Sequence, residues 1–158
     1  MKRLLFFSVV LTFCSCQFSA GVSTDLATGL TISNKGLSYS ESIMASGGKK
    51  MESNKLKLGS EFIVGATGCS GFTSKAGLVF PACSIVLRDE KGTTILNIAD
   101  AFEALKDGRK PNESSELTAT ITTGSPMNVG MTYAYEVIFS DRMDTSKIIT
   151  CKGTIVME

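Results

Sequence analysis

Most of this chain alternates apolar and polar residues with a period of two, the pattern of half-buried strands. Within 31–45, Leu37, Tyr39 and Glu41 alternate with their neighbours and Ile43 follows. The pattern resumes at 55–58, in the short apolar segment 61–68, and in 84–96, where Asp89 to Gly92 supply a chain reversal. Leu117, Ala119 and Ile121 alternate in the next segment. Tyr133, Tyr135, Val137 and Phe139 then share one side of a strand whose other side holds Thr132, Ala134, Glu136 and Ile138. The chain closes on a β-branched run over 147–157. Gly, Asn, Asp and Ser stand between these runs, as turns require. Seven or so short strands in one chain of this length predict an antiparallel β-sandwich.

Two segments break the period. Ile98, Ala101, Phe102 and Leu105 fall at i, i+3, i+4 and i+7, which predicts one short helix near 98–107. Asn97 can cap its start and Gly108 suits the position just past its end. The other exception is the N-terminus. Lys2 and Arg3 precede an apolar run from Leu4 to Phe13, the layout of a secretory signal. That run is shorter than the roughly 20 apolar residues a membrane-spanning helix needs.

Two cysteines follow the apolar run. The stretch Leu11-Thr12-Phe13-Cys14-Ser15-Cys16 resembles a lipobox, the processing site of bacterial lipoproteins, with the small Ser15 directly before Cys16. It departs from the usual pattern at Phe13 and Cys14, and Cys14 is the alternative attachment point. The resemblance implies a signal peptide over 1–15 and diacylglycerol on the Cys16 thiol, tying the protein to a membrane. Two or three acyl chains hold firmly where a single chain does not. Residues 16–27 are small and polar and read as a tether. The domain proper is expected over 28–158.

Composition removes several classes of function. The 158 residues contain no histidine and no tryptophan. Without histidine there is no Ser-His-Asp or Cys-His nucleophile system, and no imidazole-dependent zinc site. With 16 basic and 15 acidic side chains, and no basic run beyond Lys49-Lys50 with Lys55 and Lys57, nucleic acid is not an expected partner. An exported chain meets an oxidising compartment. Cys69 and Cys83, which bracket a Gly-rich segment, are therefore candidates for a disulfide. Cys151, in an alternating run, reads as a small buried hydrophobe.

The pattern from Gly130 through Tyr133 and Val137 to Asp141 resembles the late strand of many extracellular immunoglobulin-like domains, in which a Tyr near the strand start packs at the corner of the sandwich. The chain as a whole also resembles small uncharacterised lipoproteins of gut Bacteroidota, which implies no known activity. The expected fold is thus all-β, an immunoglobulin-like sandwich with one short helix.

Other local patterns point to chemistry only weakly. Ser46-Gly47-Gly48-Lys49 has the S-x-x-K spacing of acylating Ser-Lys pairs, but sits in a Gly-Gly turn without the companion motifs. The segment 65–71 is Gly-rich but lacks the G-K-[ST] ending of a phosphate loop. Asp89-Glu90, Asp141 and Asp144 are carboxylates of the type that bind calcium on sandwich-end loops, without a ligand spacing to support it. Asn112-Glu113-Ser114 is a glycosylation sequon only in a eukaryotic setting. Tyr39, Tyr133 and Tyr135 fit a core at strand periodicity better than a recognition patch. No catalytic residue, cofactor or metal site is expected.

The function expected is that of a non-catalytic cell-envelope lipoprotein, a binding or accessory module. It would be anchored by lipid, most simply in the outer membrane, and would meet an envelope protein or extracellular ligand; a secreted or periplasmic product is the alternative. Two further expectations compete. One is a small hydrolase with paired carboxylates. The other is a fimbrial or surface-layer subunit polymerising by strand addition, with a donor strand or open edge in 17–40.

Overall fold

The alternation resolves into eleven strands in the computed structural model, which describes residues 20–158. The signal peptide over 1–15, Cys14 and Cys16 lie outside the described residues. In chain order the strands are β1 (Ala20–Thr24), β2 (Thr31–Lys35), β3 (Glu41–Ser46), β4 (Lys49–Lys50), β5 (Lys55–Leu56), β6 (Glu61–Thr67), β7 (Pro81–Arg88), β8 (Thr94–Ile98), β9 (Glu116–Thr122), β10 (Thr132–Asp141) and β11 (Asp144–Met157). They form two sheets. The larger runs β1-β2-β11-β10-β7-β8, with β5 added parallel to the end of β11. The smaller runs β4-β3-β6-β9. Every other pairing is antiparallel.

Setting aside the short strands and the β1–β2 hairpin, β3-β6-β9 faces β8-β7-β10-β11. That is the strand order of an immunoglobulin-like sandwich. The inner faces follow the sequence alternation. Phe62, Val64 and Ala66 of β6, with Leu117, Ala119 and Ile121 of β9, meet Ile85, Leu87, Val137, Phe139, Ile149 and Ile155 of the larger sheet in one buried cluster. Tyr135 joins the two layers. Its ring lies 5.5 Å from that of Phe62, tilted at 58°, and its hydroxyl reaches Met44 Sδ on β3 at 3.5 Å. On its own sheet Tyr135 lies over Gly153 of β11, where a Cβ would fall 2.5 Å from the hydroxyl.

Tyr133 supplies the predicted corner. It is buried at the start of β10, and its hydroxyl accepts the Asn128 amide at 2.8 Å, five residues upstream. This is the bond by which such sandwiches fasten the approach to this strand.

Three expectations need correction. The helix over 98–107 does not form. Ile98 is the last residue of β8, paired with Ile85, and only a single 3-10 turn follows at Glu103–Leu105. The cause is Asp100, whose Oδ1 accepts both the Cys83 and Phe102 amides and whose Oδ2 pairs with Arg142 at 2.5 Å. Those bonds tie the segment to β7 and to the β10–β11 turn before a second helical turn can start. The helical spacing still has a use: Phe102 packs on Phe139, with ring centroids 5.9 Å apart. Gly108 ends the turn at φ +86, with its amide on the Leu105 carbonyl.

The tether over 16–27 is also shorter than read, because 20–24 is strand β1, paired over its whole length with β2. Asp25 closes the hairpin by accepting the Ala27 and Thr28 amides. Finally, the alternation across 31–45 is not one strand. Gly36, at φ +72, breaks it, and the chain passes from the larger sheet to the smaller through a bridge between Ser38 and Ser70.

Placing a methyl on Gly153 forces Tyr135 off its seat between Phe62 and Met44, and overpacking of this kind costs about 1–3 kcal/mol. Gly153→Ala is therefore expected to lower the urea midpoint substantially, whereas Gly124→Ala, whose Cβ meets nothing within 4 Å, leaves it nearly unchanged. Tyr133→Phe is expected to cost about 1 kcal/mol through the lost acceptor for Asn128. Equilibrium denaturation of the three variants checks both values.

Candidate functional site

The residues that suggested chemistry are occupied in turns and in the core. Ser46 and Lys49 face each other across the β3–β4 hairpin, joined by Gly47 and Gly48, both at positive φ. This is the geometry of a tight two-residue turn. The Ser46 hydroxyl donates to the Glu61 carbonyl at 2.5 Å. The Gly-rich 65–71 segment leaves β6 through Gly68 and Gly71, where backbones approach so closely that a Cβ at Gly68 would collide with Ser40.

The carboxylates cap backbone amides. Asp89 accepts those of Lys91 and Thr93, and Glu90 accepts that of Thr132, at one end of the sandwich. Asp141, fully buried, accepts Thr73 and Met143 at the other end. Asp144 accepts the amide and hydroxyl of Ser146, and these bonds hold its carboxyl below the usual range. The Thr28 and Ala27 amides do the same for Asp25. The calcium candidates are thus divided between opposite ends. Among the described residues no group of three His, Cys, Asp or Glu is placed to hold a metal ion.

The thiols of Cys69, Cys83 and Cys151 are free and buried, so the disulfide between Cys69 and Cys83 is not formed. The reason is local. Cys83 points into the core from β7, while Cys69 sits in the turn after β6 and directs its Sγ to the Ala66 carbonyl at 3.4 Å. Burial pushes the three thiols up, to about 11 for Cys69 and about 12 for Cys83 and Cys151. They stay protonated at neutral pH, which is the state of a packing residue rather than of a nucleophile.

What the fold leaves open is a surface, which the sequence reading missed. The outer face of the larger sheet is built of rows set by strand register. One row runs Val22, Ser33, Thr150, Ile138 and Ser84. The row beside it runs Ala20, Lys35, Ile148, Ser140 and Ala82. On the other side stand Thr24, Thr31, Lys152, Glu136 and Val86. Lys152 and Glu136 pair with each other at 2.7 Å, which leaves Lys35 on β2 as the unbalanced charge of the three rows. The face spans roughly 20 Å by 14 Å, from strand spacings of about 4.8 Å and about 6.8 Å per two residues. Ser33, Ser84, Ser140 and Ala82 are small, Thr150 is buried among its neighbours, and half-buried Ile138, Ile148 and Val86 make the face partly apolar. The signal was present in the sequence as Ile138 and Ile148 on the polar side of their strands, but which strands adjoin is a property of the fold.

Two shallow grooves lie at the end of the sandwich where Asp89 caps its turn. Each is about 240 Å³, and they share Ile95 and Pro126. Tyr133 and Asn128 line one of them, and their mutual hydrogen bond is the corner bond of the fold. These grooves are therefore walls of the structural corner.

A buried thiol with a raised folded-state pKa binds its proton more tightly folded than unfolded. Its stabilising contribution is complete below about pH 9 and falls as pH rises toward 12. The wild-type protein is expected to lose stability steeply between pH 9 and pH 11. Cys83→Ala/Cys151→Ala, less stable at pH 7, should lose distinctly less over the same interval. Urea midpoints at pH 8 and pH 10.5 test this, and parallel losses would refute the thiol origin.

No family model matches the chain, and no curated protein matches it in sequence.

Proposed function

We propose that this protein is a non-catalytic cell-envelope lipoprotein, anchored through Cys16, that binds a protein partner or extracellular ligand on the outer face of its larger sheet. The observation that carries the reading is that face. It is partly apolar, with Ile138, Ile148 and Val86 half-buried around the buried Thr150, and its central charges Lys152 and Glu136 pair with each other. The largest partly apolar patch of a domain, a few hundred Å² in area, is often where it meets a partner. The polar chemistry elsewhere supports the same reading. A hydrolase needs two carboxyls free to exchange protons with substrate, whereas Asp89, Glu90, Asp141 and Asp144 each accept bonds that hold a turn.

A second reading, the polymerising subunit, is favoured by β1. Among the described residues its outer edge has no neighbour, and its own residues, Ala20-Gly21-Val22-Ser23-Thr24, include no Lys, Pro or inward charge of the sort that blunts edges. By contrast, β4 at the edge of the smaller sheet is two lysines long.

Radiolabelled palmitate is expected to enter the wild type and not Cys16→Ala. Equal labelling of the two would refute Cys16 as the attachment point, and label that depends on Cys14 would shift the anchor by two residues. A photo-reactive residue at Ile138 should cross-link a discrete partner in intact envelopes, while one at Thr120, on the far face of the smaller sheet, should not. Failure at Ile138 with concatenated copies through β1 would select the polymer reading.

A further inference from the structure

The β1–β2 hairpin presents an unusual pair of exposures. Val22 is 75% exposed and Leu26, in the connecting loop, is 95% exposed, the highest of any large apolar residue described. All five residues of β1 are exposed, and its outer edge is unpaired among the described residues. In water the exposed Leu26 side chain buries nothing, whereas a membrane surface would take it up.

The position of the hairpin suggests an explanation. β1 begins at Ala20, only four residues beyond Cys16. A chain advances at most about 3.6 Å per residue, so an acylated Cys16 holds Ala20 within about 14 Å of the lipid it enters. The strand next to that anchor is the outermost strand of the larger sheet. Leu26 lies at the other end of the same hairpin.

Charge agrees. Within 20–35 the only charged side chains are Asp25 and Lys35. Asp25 is met by Lys50 at 3.8 Å, and Lys50 and Lys49 are both exposed beside the tip. Lys35 stands directly across from Ala20 at the anchored end. Cations therefore flank both ends of the edge, as contact with anionic headgroups favours. The unpaired amides and carbonyls of β1 cannot enter hydrocarbon, but the hydrated headgroup layer satisfies them while a single leucine reaches deeper.

We propose that the β1–β2 hairpin lies along the membrane surface, with Leu26 entering the boundary between headgroups and acyl chains, so that the larger sheet stands edge-on and its outer face is held upright. This rests on the reading of Cys16 as the lipid anchor. The occupant of the edge is lipid, and the orientation leaves Ile138 and Ile148 accessible to a partner arriving along the membrane.

The test uses the full, lipid-anchored protein in vesicles of phosphatidylethanolamine and phosphatidylglycerol. A fluorophore is attached at Leu26→Cys or, as control, at Asn97→Cys on β8, the opposite edge of the same sheet. Lipids brominated near the headgroup should quench the label at position 26 and not that at 97. Aqueous iodide should quench position 97 at least threefold more than position 26. Equal iodide quenching at the two positions would overturn the proposal. So would protection of position 26 without quenching by the brominated lipid, because a second protein chain paired along β1 would then be the cover. Palmitate incorporation in the same preparation separates the two failures. A protein without the label overturns the lipoprotein reading together with this one, whereas a labelled protein with position 26 in water overturns only the orientation.

Discussion

The two sheets depend on Tyr135. Its ring rests on Phe62 of the smaller sheet, its hydroxyl reaches Met44 of β3, and its body fills the space that Gly153 leaves on β11. Aromatic rings bury more area than any aliphatic side chain, so one residue at the centre of an inner face can span a layer about 10 Å thick. The neighbouring inner positions, Tyr133 and Val137, share its strand and therefore its placement. Cys151 packs into the same centre from β11, and the low polarity that protonates its thiol also raises the Tyr135 hydroxyl. Burial is the first cause of both shifts.

At the ends of the sandwich, order comes from carboxylates. Asp25, Asp89, Asp100, Asp141 and Asp144 each turn a chain reversal into a hydrogen-bonded unit by accepting amides from residues a few places on or from a neighbouring segment. Asp100 shows how strongly such a bond competes with local propensity. The apolar spacing of 98–105 is helical, yet two amides and the Arg142 guanidinium on one carboxylate hold the segment as a single turn. A short isolated helix has little intrinsic stability to set against those bonds.

Asp25, Asp89, Asp100, Asp141 and Asp144 are taken up in turns and the thiols in packing. The outer face of the larger sheet and the β1 edge are two parts of one sheet and meet at right angles. If lipid holds the edge, the face stands perpendicular to the membrane, and a partner approaches it in the plane of the bilayer rather than from bulk solvent. With Cys16 as the anchor, a tether of only a few residues would restrict that arrangement, whereas a long one would let the domain tumble.

The sequence by itself determined the class of fold, the inner residues of the late strands and the Tyr133 corner. Each of these is a short-range statement: period two decides which side of a strand is buried, and a Tyr at a strand start is legible within a dozen residues. It also identified the turn at Asp89 to Gly92, because turn chemistry is local. Tertiary structure decided everything that needs a neighbour. Strand β1 was invisible because its small residues gain their order only from the β2 ladder, and the break at Gly36 was hidden by an alternation that continues through it into the other sheet. The fate of Cys69 and Cys83 depended on how the turn after β6 and strand β7 each directed its sulfur. The outer face exists only through register, since Val22, Ser33, Thr150, Ile138 and Ser84 are scattered along the chain and become one surface when β1, β2, β11, β10 and β7 lie side by side.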